Sequence, residues 1–288
     1  MKTYLLSIPM LVIALWISST STKSTSNLTT SITMCHNTTQ AFAKLADDPS
    51  FGIAHEDPQY SKLVFQAKGE MITYPVTEGV LANAYVVASA NESKDVLFVV
   101  HEWYGLNDFV KSQADIFSQK FPNMTVIALD LYDGKVADNR TDAATYMQAV
   151  QTERALAIIN GAKTYIGSEA NVYTVGWCFG GGWSLQTAIE MGDQAKGAIM
   201  FYGMPETNME RLATLKCDVL GIFAGQDQWI TEQVAADFKE SMSKLPNELI
   251  LKSYDADHGF ANPSNPIYDE KASTDAYQEM ESFIVARR

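Results

Sequence analysis

Short apolar runs alternate with longer amphipathic stretches through most of this chain, and that alternation restricts its fold more than any other feature. Val96–Val100 and Val126–Leu129 are wholly apolar, as strands buried on both faces require. Val172–Val175, Ala198–Tyr202, Val219–Phe223 and Leu249–Tyr254 read as further strands. Between and after them, Asp108–Gln119, Thr141–Ile166 (broken near Gln151), Gly181–Met191, Thr231–Ser243 and Thr274–Ala286 carry helical patterns. Upstream, Glu70–Tyr74 and Val80–Val87 read as two strands around a turn at Thr77-Glu78-Gly79, and Ala41–Ala54 as a short helix. Repeated strand–helix alternation predicts an α/β fold with a mostly parallel central sheet and helices on both faces. Active sites in such sheets gather at the carboxyl ends of the strands. With neither an internal repeat nor a Pro/Gly linker, residues 41–288 are expected to form a single domain.

The first forty residues read differently. Lys2, the apolar run Tyr4–Trp16 and the small residues after it have the form of a secretory signal over residues 1–19, too short for a comfortable membrane span. A Ser/Thr-rich spacer follows over residues 20–40. An exported protein is expected, or a cytoplasmic one if Met34 is the true start. The net charge of −13 and the lack of a Lys/Arg cluster leave nucleic-acid binding without electrostatic support. Only three cysteines are present, with no C-x-x-C pair, so neither a disulfide framework nor a metal site is expected. No cofactor and no stable membrane association are expected, and the chain is read as a monomer.

Gly176-Trp177-Cys178-Phe179-Gly180-Gly181-Gly182 lies between an apolar strand and a helical stretch. It has the form of the G-x-S-x-G nucleophile elbow with cysteine in the central position. Glycines on either side let the chain turn sharply without Cβ collisions. The helix that follows aims its free N–H groups at the sulfur, and the Phe179 N–H becomes an oxyanion donor. A buried structural cysteine beside a Gly-rich turn is the alternative. A thiol nucleophile needs a base, and of the four histidines only His258 follows Cys178, as the order nucleophile, acid, histidine demands. His101, directly after an apolar strand, is read as a residue lining the site. Asp227 follows the apolar strand Val219–Phe223 and a small-residue turn, which makes it the candidate acid over Asp193, Glu206 and Asp218.

Taken together, His101-Glu102-Trp103-Tyr104-Gly105-Leu106-Asn107, Asp130-Leu131-Tyr132, the Gly176–Gly182 elbow, Gly225-Gln226-Asp227 and His258-Gly259-Phe260-Ala261 resemble the dienelactone hydrolases of the α/β-hydrolase superfamily. The resemblance runs from about Glu70 to Ile284. It implies that Glu102 contacts the resting thiol and yields it to the histidine when substrate binds. It also implies an oxyanion donor at the Trp103 N–H and two arginines clamping a substrate carboxylate. One of these corresponds to Arg140; the other position carries Asn262, which cannot replace a bidentate guanidinium. Read from the residues alone, Glu102 is equally a surface or salt-bridge carboxylate. Tyr104 and Tyr202 are further candidates for lining an apolar substrate pocket.

The expected function is hydrolysis of an activated ester or lactone, a small molecule, through a Cys178–His258–Asp227 triad and a thioester acyl-enzyme. A thiolate is itself a good leaving group, so enol lactones and other activated esters are favoured over simple ones. The alternatives are a thioesterase or other thiol acyl-hydrolase, a non-catalytic α/β-hydrolase scaffold used for binding, and a redox thiol protein.

Overall fold

A computed structural model describes residues 37–55 and 66–288, with side chains from Gln40 onward except Ala54. The expected signal segment, and the spacer up to residue 36, lie outside the described residues. The elements run α1 (Asn37–Ala46), α2 (Pro49–Ala54), β1 (Glu70–Thr77), β2 (Val80–Val87), β3 (Asp95–Val100), α3 (Asp108–Lys120) and β4 (Thr125–Leu129). They continue with α4 (Arg140–Ala149), α5 (Thr152–Ile166), β5 (Asn171–Trp177), α6 (Phe179–Met191), β6 (Ala195–Phe201) and α7 (Met209–Leu212). β7 (Asp218–Ala224), α8 (Glu232–Met242), β8 (Leu249–Tyr254) and α9 (Glu270–Val285) follow as the last elements of the described residues.

The eight strands form one sheet in the order β1-β2-β4-β3-β5-β6-β7-β8. β2 pairs antiparallel with both β1 and β4, and every other pairing is parallel, so the expected mostly parallel α/β sheet is what the chain forms. β3 to β7 are buried almost along their whole length, while the edge strand β1 alternates exposed and covered residues. Alternate residues of β5 separate the two helical layers. Trp177 stacks on Phe117 of α3, and its neighbour Tyr277 belongs to α9. Thr174, pointing the other way, accepts a hydrogen bond from Ser184 of α6 at 2.9 Å. Helices therefore cover both faces, with α3 and α9 joined on one of them by the Lys120–Glu281 ion pair.

One expected element differs, and one short helix is unexpected. The single helix over Ala41–Ala54 is two helices, because Pro49 cannot continue α1 and instead starts α2. Asp48 caps α2, its carboxylate accepting the Ser50 N–H at 2.8 Å. The stretch Thr141–Ile166 divides at Val150-Gln151, as anticipated. The four-residue α7 carries too little periodicity to be seen in the sequence.

At the carboxyl end of β5 the chain passes from strand to helix at a single residue. Cys178 takes φ 54° and ψ −119°, a strained backbone for a non-glycine residue that costs on the order of 1–3 kcal/mol. The turn is so tight that α6 runs against the ends of β5 and β3. A Cβ on Gly176 would sit 2.1 Å from the Gly180 carbonyl oxygen, and one on Gly180 would sit 2.2 Å from that of Val100. Backbone cannot move aside as a side chain can. Gly180→Ala is expected to lower the unfolding free energy by about 3 kcal/mol, at the upper end of overpacking costs. The urea midpoint, compared with that of the unaltered protein, measures this.

Candidate active site

Four loops at the carboxyl ends of the strands place their side chains around Cys178. The loop after β7 and the loop after β8 are joined beyond the sheet: the Gly225 N–H donates to the Tyr254 carbonyl at 2.7 Å and the Gln226 N–H to Ala256 at 3.0 Å. That pairing brings Asp227 to His258, whose Nδ1 lies 2.5 Å from Asp227 Oδ2. The other Asp227 oxygen accepts the N–H groups of Trp229 and Ile230, both at 2.9 Å. Burial works against the charge on Asp227, but His258 and these donors outweigh it and hold the carboxyl below its ordinary range. Burial also opposes a charge on His258. Asp227 and Cys178 overcome it and raise the imidazole well above its ordinary value.

The rival acids are engaged elsewhere. Glu206 is buried beneath Arg211 and Gln186, Asp218 pairs with Arg287 at 2.9 Å, and Asp193 is exposed. His101 does not line the cavity. Its Nδ1 donates to the Glu102 carbonyl at 2.7 Å and its Nε2 accepts the Leu131 N–H at 3.1 Å, so both nitrogens tie the loop after β3 to the loop after β4.

A cavity of about 20 Å³ remains around the thiol, lined by Glu102, Trp103, Tyr104, Cys178, His258 and Asn262 among others. That volume holds one water molecule. Glu102 shares the cavity with Cys178, yet its hydrogen bond is to Asn262: the amide Nδ2 donates to Oε2 at 2.7 Å. Burial dominates at Glu102 and pushes its carboxyl up to about 7. Asn262 is occupied on its other side as well, where Oδ1 accepts from the Ser264 N–H at 2.9 Å and hydroxyl at 2.6 Å. Arg140 is not among the lining residues; its guanidinium reaches the Gly52 carbonyl of α2 at 3.4 Å. The two residues at the expected clamp positions thus hold protein groups. Tyr104 lines the cavity, whereas Tyr202 stands outside it with its ring 5.0 Å from that of His258. Neither the Phe179 nor the Trp103 N–H donates to a backbone carbonyl among the described residues.

His55, at the end of α2, also lines the cavity, and nothing in the sequence marks it as a residue of the site. Phe51 packs edge-on against Trp103, Trp229 and His258. His55, just beyond the helix, lies with its ring 5.1 Å from that of His258. A nitrogen of each imidazole and the Cys178 sulfur all lie within 4.8 Å of one another. Burial and the neighbouring His258 push His55 down to about 3, so it is neutral at ordinary pH.

A carboxylate, an imidazole and a thiol in series are able to draw a proton off sulfur. The sequence model of the dienelactone hydrolase family matches residues 82–286. Protein usf of Aquifex pyrophilus is 25% identical over 75% of this chain and 97% of its own length. Carboxymethylenebutenolidase 1 of Cupriavidus pinatubonensis is 22% identical over 66% of this chain and 86% of its own. Among solved structures, a promiscuous phosphotriesterase from metagenomic libraries, described as like dienelactone hydrolases, superposes with a TM-score of 0.65 at 17% identity. It covers 76% of this chain and 98% of its own, a likeness of fold.

Glu102 generates a pH prediction. Its folded pKa of about 7 stands above the ordinary 4.5, so between those values the folded state holds a proton that the unfolded state has lost. Glu102 therefore lowers stability as pH rises through that window, by an amount on the order of 3 kcal/mol for a fully buried group. His55, with its depressed value, slopes the other way below pH 6.5, so the comparison must be between variants. Glu102→Gln is expected to be more stable than the unaltered protein at pH 8 relative to pH 5, as read by urea midpoints at both.

Proposed function

Because this chain belongs to the dienelactone hydrolase family and is a carboxylic ester hydrolase, we propose that it cleaves small, uncharged activated esters or enol lactones through Cys178 and a thioester acyl-enzyme. The observation that carries this reading is the line from Asp227 through His258 to the Cys178 sulfur at a strand-to-helix elbow.

In the proposed reaction the Cys178 thiolate attacks the carbonyl carbon, its proton held by His258. The carbonyl electrons move to oxygen, where the Phe179 and Trp103 N–H groups receive the charge, an effect worth on the order of 3 kcal/mol per donor. Collapse expels the alkoxide or enolate, which takes the proton from His258. Water then attacks the thioester, giving its proton to His258, and the acid leaves with the thiol restored. Asp227 keeps Nδ1 protonated, so that Nε2 faces the sulfur. Sulfur is expelled more readily than a poor alkoxide, and this restricts the substrate to esters with good leaving groups. Glu102, bonded to Asn262, acts as a neutral acid beside the site below its pKa and adds a negative charge above it.

The uncharged substrate follows from the lining. Among the described residues no lysine or arginine lines the cavity, and Asn262 and Arg140 are both occupied by protein groups. A substrate carboxylate would be buried beside Glu102 without a guanidinium or ammonium to pair with, at a cost of several kcal/mol. The cavity admits a water molecule but not an ester, so substrate enters by displacing His55 and the Phe51 ring packed against it.

Purified protein is expected to hydrolyse p-nitrophenyl acetate faster than a carboxylate-bearing dienelactone. Cys178→Ala is expected to lose activity by on the order of 10⁴-fold or more. The unaltered enzyme, quenched during turnover, should carry one acetyl group on Cys178 by mass spectrometry. Full activity in Cys178→Ala would remove the thiol from the mechanism. Asp227→Asn is expected to retain its fold by circular dichroism while kcat falls by on the order of 10⁴-fold, the consequence of a wrong imidazole tautomer.

A further inference from the structure

His55 has no part in the reaction just described, yet it is buried at the thiol. Its Nδ1 lies 2.7 Å from the Phe51 carbonyl, which fixes the proton on that nitrogen and leaves the lone pair on Nε2. Nε2 has no hydrogen-bond partner among the described residues, and His55 is 6% exposed. His258 turns its Nε2 toward the Cys178 sulfur, its Nδ1 being held by Asp227, and offers a lone pair there once that nitrogen gives up its proton. The two imidazoles and the Cys178 sulfur converge from three separate elements, with their donor atoms within 4.8 Å of one another. We propose that His55, Cys178 and His258 form a binding site for a borderline-soft divalent cation, Zn²⁺, whose occupation blocks nucleophile and base together and pins α2 over the cavity.

Donor chemistry and geometry both support this site. Two imidazole nitrogens with one thiolate are zinc ligands, and three protein ligands with one open position are a common zinc arrangement. Tetrahedral bonds of ordinary zinc length place such donors about 3.3–3.6 Å apart. The three atoms must draw together by about 1.5 Å at most, which side-chain rotation and a small shift of α2 supply. The open position faces the 20 Å³ cavity, which has room for one water. Among the described residues no lysine or arginine lines that cavity to repel a cation. The Asp227 carboxylate on His258 Nδ1 is the partner that zinc-bound histidines usually have. Binding needs the thiolate and the neutral imidazole, so at least one proton passes to the buffer for each ion bound. The ion adds no redox step.

Direct binding tests the site without relying on turnover, so its outcome is separate from that of the hydrolase reading. Chelator-stripped full-length protein is titrated with Zn²⁺ by calorimetry and with Co²⁺ by absorbance. The expected result is one Zn²⁺ per chain and a sulfur-to-cobalt charge-transfer band that Cys178→Ser abolishes. His55→Ala is expected to weaken Zn²⁺ binding by on the order of tenfold or more. His55→Gln, which keeps more of the packing but coordinates poorly, should show the same loss, and circular dichroism checks the fold of each variant. Zn²⁺ should also inhibit p-nitrophenyl acetate hydrolysis, reversibly with chelator, and inhibit each His55 variant less relative to its own uninhibited rate. Equal Zn²⁺ affinity in the unaltered protein and both His55 variants would overturn the proposal, as would a charge-transfer band persisting in Cys178→Ser or the lack of any binding.

Discussion

The first turn of α6 lies against the backbone at the end of β3 at a distance that leaves no room for a Cβ. With Gly180 set against the Val100 and His101 carbonyls, the helix can start only one residue past β5, and the residue at the junction must take a positive φ. Cys178 occupies that junction, so its sulfur stands at the helix N-terminus and not within the sheet. The same contact brings the loop after β3, with Glu102 and Trp103, beside the thiol, because the chain has nowhere else to leave the strand. His101 then fixes that loop from behind with both of its ring nitrogens. A strain on the order of a few kcal/mol at one residue is held in place by two packed elements.

Inside the site, the balance of burial against pairing separates two carboxyl groups that are equally hidden. Asp227 has a histidine and two backbone N–H donors, and these outweigh its desolvation. Glu102 has the Asn262 amide, which does not, so its carboxyl titrates near neutrality. One is a fixed negative charge held against His258; the other changes charge near neutrality. Burial in a nearly filled cavity makes both effects large, since bulk water is kept from either group.

α2 packs against two of the residues that line the thiol's cavity. Phe51 fills the space over Trp103 and His258, and the Trp229 indole N–H reaches back to Asp48 at 3.2 Å, tying the cap to the loop after β7. The cap is a single short helix with two or three anchors, the kind of element that opens at low cost compared with the sheet beneath it.

The sequence by itself determined the strands, most of the helices and the tight turn at the elbow, because these depend on neighbours: apolar period, glycine spacing, and the order of Cys178, Asp227 and His258 along alternating strands. Buried parallel strands read as unbroken apolar runs, and the ends of such strands are where side chains can converge. Only the tertiary structure decided what each polar residue touches. Asn262 meets Glu102 across 160 residues, Trp229 meets Asp48 across 181, and Arg140 turns to α2 across 88. His55 gave no sign of belonging to the site, since it precedes the whole sheet and arrives there only because Pro49 breaks the N-terminal helix and folds α2 over the strand ends. Periodicity reports which face of an element is buried; it carries no information about which distant group lies against that face, and in a cavity this small that choice sets both charge and access.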